Sequence, residues 1–164
     1  MSLFYASVRI GKNGEPFTMW KIRTLKEGSD SSSFVSKDQY TWCGRFLRKW
    51  RIDEIAQLWN VLRGEMSLVG PRPLEYKTST LYPRDTVRKL LSVKPGMFGL
   101  AGIYFMDEER LLQLSQDPQK DYWEKIAPIK LALDFFYIEN KCFSLDLWIV
   151  WHGIKRRITT WNSQ

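Results

Sequence analysis

The run Arg51-Ile52-Asp53-Glu54-Ile55-Ala56-Gln57-Leu58-Trp59-Asn60-Val61-Leu62-Arg63-Gly64-Glu65-Met66-Ser67-Leu68-Val69-Gly70-Pro71-Arg72-Pro73 divides into a helix and a rigid loop. From Asp53 onward, Ile55, Leu58, Val61 and Leu62 recur at i, i+3, i+6 and i+7, the spacing of an amphipathic helix. Gly64 marks its end, because glycine accepts the left-handed conformation that closes helices. Gly70-Pro71-Arg72-Pro73 cannot lie inside a helix or a central strand, since each proline removes a donor and fixes φ. A stiff loop is therefore expected, offering one arginine on a backbone that loses little entropy on binding.

Upstream, Leu3 to Ile10 and Phe17 to Arg23 flank Gly11-Lys12-Asn13-Gly14. Asn-Gly between apolar runs predicts a β-hairpin, because both residues tolerate positive φ. Residues 26–39 are polar and serine-rich and read as a mobile surface loop. Thr41 is placed to cap a short helix over Trp42 to Lys49. Downstream, a helix over Arg84 to Leu91 precedes a second turn-rich loop, Lys94-Pro95-Gly96-Met97-Phe98-Gly99-Leu100. A further helix is expected from about Asp121 through Ile138, with Pro128 marking a kink or a late start. Ser144 would then cap a last helix bearing Leu147, Trp148, Trp151, Ile154 and Ile158 on one face, with Lys155, Arg156 and Arg157 near its end. There is no internal repeat. The expected fold is α+β: one mainly helical domain over residues 1–164, with a small N-terminal β-hairpin and amphipathic surface helices.

Composition narrows the partners. A chain of 164 residues is long enough to bury one real core. Its net charge of +7 calls for an anionic partner: nucleic acid, lipid headgroups or phosphorylated substrates. Aromatics reach 15%, with 8 tryptophans, and such rings favour interfaces and membrane surfaces as well as cores. Two cysteines, Cys43 and Cys142, have no ligand-like spacing and suit a reducing compartment. One histidine, His152, excludes histidine-rich metal sites. No signal peptide opens the chain, and no uncharged apolar run approaches the ~20 residues of a bilayer span. The most apolar stretch, Cys142 to Ile154, is broken by Asp146.

The densest polar cluster gathers Arg45, Arg48, Lys49, Arg51, Asp53, Glu54, Gln57, Asn60, Arg63, Glu65 and Arg72. Acids at a helix start ordinarily cap N–H groups and meet the positive dipole end, so Asp53-Glu54 alone says little. Arginines around them change that reading, because a guanidinium recognises phosphate through two parallel hydrogen bonds. A pyrophosphate substrate, a divalent cation and an aspartate nucleophile would use the whole set.

The stretch Arg48 to Pro73 closely resembles the signature of the bacterial sugar transferases, the monotopic polyprenyl-phosphate phosphoglycosyl transferases. Arg9-Ile10-Gly11, Gly14, Phe17, Lys21-Ile22-Arg23-Thr24 and Lys94-Pro95-Gly96 with Gly99-Leu100 extend the likeness. Tyr137, Asn140 and Ser144-Leu145-Asp146-Leu147 carry it to the C-terminal third. The resemblance implies that Asp53 and Glu54 form the catalytic dyad. Asp53 would attack phosphorus, expel UMP from a UDP-sugar and carry a covalent phosphosugar, and Glu54 would help hold Mg2+. Polyprenyl phosphate, typically undecaprenyl phosphate, would then accept the phosphosugar at the cytoplasmic face of the bacterial inner membrane. Lys21, Arg23, Arg48, Gln57, Asn60 and Arg72 become the expected substrate- and phosphate-binding set.

This chain departs from the family in three side chains: Ser7 and Gly102 replace the usual Gln, and Ala56 the usual Pro. The family's N-terminal membrane hairpin would end where Met1 begins, so either that hairpin precedes this sequence or membrane contact falls to surface helices, with Trp148, Trp151, Lys155, Arg156 and Arg157 as candidates. A non-catalytic relative serving as an interaction module is the alternative. Nucleic acid is not expected as a partner, since net charge alone favours it.

Overall fold

The computed structural model describes residues 3–26, 39–49, 52–106 and 108–159; the serine-rich stretch over 27–38 lies outside them. Phe4–Ile10 (β1) and Pro16–Ile22 (β2) pair antiparallel, with Phe4 opposite Ile22 and Ile10 opposite Pro16. Asn13 (φ 59) and Gly14 (φ 88) both take left-handed backbone at the reversal, as the Asn-Gly pair predicts. One face of the hairpin is covered: Phe17 and Met19 pack with Met66, Val61 and Met97. By strand alternation Lys21 lies on that same face, and its cross-strand neighbours Tyr5, Ser7 and Arg9 share it.

Gly44–Lys49 (α1) follows, shorter than expected at its start. Thr41 does not cap it; its hydroxyl donates to the Thr24 carbonyl instead. The helix expected near Asp53 opens as a tight 3-10 turn, Ile52–Gln57, and relaxes into Leu58–Leu62 (α2) before Gly64 at φ 75. Ser67–Val69 (β3) leads to Gly70-Pro71-Arg72-Pro73, then to Tyr76–Ser79 (α3) and Arg84–Leu90 (α4). Gly96–Phe98 (β4) pairs parallel with β3 where two plain loops were expected. The pairing continues beyond the strands: Gly70 donates to the Phe98 carbonyl at 2.9 Å and Gly96 to the Pro71 carbonyl at 2.8 Å. A Cβ on Gly96 would stand 2.0 Å from the Gly70 nitrogen, so only glycine allows this approach. The Pro-Arg-Pro loop is thus clamped by main chain from a segment about two dozen residues later.

Leu100–Tyr104 (α5), Glu108–Gln113 (α6) and Pro118–Asp121 (α7) precede a π-type turn over Tyr122–Ile126. Ala127–Asn140 (α8) begins there, with Pro128 in its first turn, the late start that proline favours. Phe143–Thr159 (α9) closes the described chain. Val69, Leu100, Ile103, Tyr137 and Ile149 form the core of this half, with Ile149 fully enclosed. The Tyr137 hydroxyl lies 2.9 Å from Asp146 Oδ1 and 3.1 Å from the Val69 carbonyl, tying α8 and α9 to β3. The architecture is α+β, and no described helix is long and apolar enough to cross a membrane.

Candidate active site

Asp53 and Glu54 sit on the 3-10 turn between α1 and α2, directly against β2. Asp53 is 8% exposed and its Oδ1 is sealed from solvent, whereas Glu54 is half-buried. Consecutive residues on a 3-10 turn point about 120° apart, so the two carboxylates leave the backbone in different directions. The buried stripe continues as Asp53, Gln57 and Asn60, at i, i+4 and i+7. Of the segment's apolar spacing, Ile55, Leu58 and Leu62 face out beside exposed Trp59, Leu62 by 79%, whereas Val61 packs inward against Phe17, Met19 and Met66. Sequence periodicity found this helical segment, and the structure turns its polar face inward.

Burial of Asp53 makes sense beside the cations that surround it. Lys21, at the end of β2, is drawn down to about 8, first by burial, then by the neighbouring Arg72 charge; Glu54 and Asp53 pull the other way. Its acidity therefore reports a shared site of two carboxylates and two cations. Arg72 stands exposed between two buried prolines, held there by the β3–β4 clamp. Arg9 completes the group. Burial lowers its pKa, the ion pair with Glu75 at 2.5 Å raises it, and Arg72 lowers it again. Arg9 also acts on Lys21, so cations from β1, β2 and the Pro-Arg-Pro loop gather at Lys21, the one that the acidic dyad meets.

Lys21 and Arg72 are the cations of this group that the family resemblance implies; Arg9 and Glu75 join them in the structure. The signal was available: hairpin alternation puts Arg9 on the face of Lys21. Arg23 lies half-buried just past β2, on the Lys21 side by strand alternation. Gln57 is 4% exposed, one turn beyond Glu54. Asn60 has different work. It is fully enclosed; its Nδ2 donates to the Thr18 carbonyl at 2.7 Å and to Glu65 Oε2 at 2.6 Å, while Oδ1 accepts from Trp20 N–H at 3.2 Å. Its side chain latches the hairpin to α2 and is committed before any ligand arrives. The side chain of Arg48 lies outside the described residues.

Both carboxylates are hard oxygen donors, suited to Mg2+ rather than to a softer metal. No cluster of three possible metal-binding side chains occurs among the described residues. Mg2+ characteristically takes one or two carboxylates and completes its shell with water and substrate phosphate, so the pair fits that ion.

On α9, Trp148, Trp151 and Lys155 are exposed, with Trp148 stacked on His152 at 3.9 Å. Arg156 turns inward and donates to the Ile103 carbonyl at the end of α5, in line with buried Ile149 and Gly153. It belongs to the helix-packing face rather than to the exposed one. The Arg157 side chain lies outside the described residues.

The family model for the bacterial sugar transferases matches residues 1–160. The uncharacterized sugar transferase EpsL of Bacillus subtilis is 39% identical over 150 residues, which are 90% of this chain and 66% of EpsL. The UDP-N-acetylgalactosamine-undecaprenyl-phosphate N-acetylgalactosaminephosphotransferase of Aeromonas hydrophila is 30% identical, over 95% of this chain and 35% of its own length. The UDP-glucose:undecaprenyl-phosphate glucose-1-phosphate transferase of Klebsiella pneumoniae is 34% identical, over 90% of this chain and 31% of its own length. The chain thus spans between about a third and two thirds of these relatives. With the dyad, the Pro-Arg-Pro loop and the hairpin cations all inside the matched region, the chain belongs to the bacterial sugar transferase family.

Proposed function

We propose that the chain transfers a sugar 1-phosphate from a UDP-sugar to polyprenyl phosphate, releasing UMP, in two steps through Asp53. The observation that carries this reading is the buried Asp53 carboxylate, which with Glu54 acts on Lys21, itself flanked by Arg72 and Arg9. An anion is kept buried where cations compensate it, and this arrangement supplies both a nucleophile and a positive surface for a diphosphate. In the first step an Asp53 oxygen forms a bond to the sugar-bearing phosphorus. The bond from that phosphorus to the bridging oxygen breaks, and the bridging oxygen leaves with UMP. In the second step a polyprenyl phosphate oxygen attacks the same phosphorus, the acyl phosphate bond breaks, and Asp53 returns as carboxylate. Lys21 and Arg72 hold the phosphates and offset the charge that gathers at the reacting centre. Glu54, with Asp53, would hold a Mg2+ ion, which when bound neutralises phosphate charge.

The acceptor's chemistry asks for a site at a lipid surface, which we assign to the cytoplasmic face of the membrane. Support comes from the outward apolar residues of α2 and from Phe143, Leu147, Trp148, Trp151 and Ile154 on α9, all exposed. Apolar stripes of this kind, with Lys155 beside them, suit helices lying in a bilayer interface.

Intact mass after incubation with Mg2+ and a panel of UDP-sugars tests the reaction. An adduct of one phosphosugar on the wild type, absent from Asp53→Asn, is the expected result. Turnover by Asp53→Asn at the wild-type rate would end the covalent reading; absence of adduct and of UMP release in every case would favour an interaction module.

A further inference from the structure

A second polar cluster, which the transfer chemistry leaves unused, lies within electrostatic reach of Arg72. Its members come from separate elements: Tyr82 before α4, Tyr122 and Trp123 in the π-type turn, and Asp134 on α8. Trp123 stands edge-on between the two tyrosines, with ring centroids 5.6 Å from Tyr82 and 5.3 Å from Tyr122. Asp134 acts electrostatically on both tyrosine hydroxyls, and Arg72 acts on that of Tyr122. Arg72 therefore couples the cluster to the proposed phosphate site.

What marks it is unspent hydrogen-bonding capacity. The Asp134 carboxylate takes no hydrogen bond and no ion pair from any described residue. Lys130, one helical turn earlier, pairs with Glu108 and lies 5.2 Å from the Tyr122 ring centroid. Neither tyrosine hydroxyl is hydrogen-bonded to a described residue. Desolvation holds Asp134 up at about 7 and Tyr122 at about 12, so the phenols remain donors throughout the working range. Yet all three residues are only partly covered, and none of their oxygens is sealed off among the described residues. A carboxylate that only accepts, two phenols that donate or accept, and a tryptophan edge together complement a ring bearing adjacent hydroxyls.

We infer that Asp134, Tyr82 and Tyr122, beside Trp123, form a subsite for a pair of vicinal hydroxyls of the sugar nucleotide whose diphosphate meets Arg72. The assignment rests on the transfer reading for its ligand class. Two rings of a UDP-sugar carry such hydroxyls, the hexose and the ribose. The relatives' names include both N-acetylgalactosamine and glucose donors, so a hydroxyl-reading subsite is where members of the family would differ.

Calorimetric titration of the full chain with Mg2+ at pH 8 tests it, using UMP, 2′-deoxy-UMP and a panel of UDP-sugars against wild type, Asp134→Asn and Tyr82→Phe. Each variant's thermal unfolding is checked in parallel. The expected result is a loss of about tenfold or more for the tightest-binding UDP-sugar in Asp134→Asn and a severalfold loss in Tyr82→Phe, since hydrogen bonds to a charged group carry that much. If the ribose is read, UMP weakens equally in Asp134→Asn, and 2′-deoxy-UMP binds wild type and variant alike. If the hexose is read, UMP is unaffected and the ranking of donors flattens. Either pattern supports the subsite, and a merely structural role produces neither. Tyr82→Phe decides the matter if Asp134→Asn does not fold. Affinities within twofold of wild type for UMP and every UDP-sugar overturn it, as does a wild type that binds none of them. Asp134-dependent binding without any adduct on Asp53 would instead remove the transfer reading and leave the subsite standing.

Discussion

Lys21 shows how one residue's surroundings become a measurable rate profile. Burial and the Arg72 charge bring its ammonium down to about 8, from an ordinary value above 10, while Glu54 and Asp53 restrain the fall. At neutral pH it is charged and able to meet phosphate; as pH rises through 8 it loses its proton. The rate of UMP release should therefore fall on an alkaline limb centred near pH 8 in the free enzyme. Lys21→Arg should carry that limb several pH units upward, because a guanidinium holds its proton across this range. A pH–rate profile unchanged by Lys21→Arg would remove Lys21 from the phosphate site. The stability sign runs oppositely to activity. A cation whose folded value lies below its unfolded one costs stability while it is charged, so this cost is present below pH 8 and relieved between about 8 and 10. Residues of this kind were only partly legible. The sequence offered Asp53, Glu54, Lys21 and Arg72 through motif and charge, but Arg9 and its Glu75 partner required the hairpin register. Asn60 enters the expected binding set through the family resemblance, and only the fold reveals the three groups it already serves. Asn60→Ala should strand Trp20 N–H and the Thr18 carbonyl and lower stability by about 2–4 kcal/mol, as measured by chemical denaturation. A loss under ~0.5 kcal/mol would mean that hairpin and helix are joined by their apolar contacts alone.

Elements were easier to locate than to orient. The hairpin, α4, α8 and α9 lie close to where alternation, Asn-Gly, Pro128 and the apolar spacing put them. The segment from Asp53 to Leu62 was also found, yet periodicity states only that two faces differ and not which one meets the protein. Here the polar face is inside, because carboxylates and amides are compensated by Lys21, by Arg72 and by the hairpin backbone. Ile55, Leu58, Trp59 and Leu62 are left outside as a contiguous stripe. The β3–β4 pair escaped reading for another reason: two strands of three residues carry too little pattern, and their partnership depends on Gly70 and Gly96 approaching without side chains. The exposed stripe leads to an element-scale prediction. Trp59→Ser with Leu62→Ser should leave thermal stability within about 1 kcal/mol of wild type, since neither side chain is buried. The same double variant should lose a large part of its binding to vesicles of anionic phospholipid in a sedimentation assay, because about 2 kcal/mol of apolar transfer is withdrawn for each large side chain removed from the interface. Undiminished vesicle binding would take α2 out of the membrane contact and leave that role to α9.

Across the whole molecule, one fold sets two polar territories that both couple to Arg72, and they differ in how they treat charge. Around Asp53 the charges are set against one another, the dyad opposing the burial that draws Lys21 down. Around Asp134 they are not. Lys130 on α8 is already engaged with Glu108 on α6, and the other groups facing Asp134, Tyr82 before α4 and Tyr122 in the π-type turn, are neutral phenols. Desolvation therefore dominates and lifts this carboxyl to about 7, with Lys130 opposing the rise. An acid whose folded value exceeds its unfolded value near 4 binds its proton more tightly in the native state. The native state then loses stability as pH rises from about 4 to about 7, and above 7 the full cost of the uncompensated charge is present. Asp134→Asn, which keeps the shape and removes the charge, should be more stable than wild type at pH 8, and its advantage should shrink steadily as pH falls from 7 toward 4. Thermal unfolding of both proteins across pH 4–8 measures this directly. An advantage independent of pH would mean that Asp134 is not desolvated in the native state. A disadvantage at pH 8 would mean that its charge is satisfied within the fold, and the unspent hydrogen-bonding capacity that points to a ligand would be gone with it. A stabilised, fully folded Asp134→Asn with weakened sugar-nucleotide binding would identify the carboxylate as a group retained for recognition at the expense of stability.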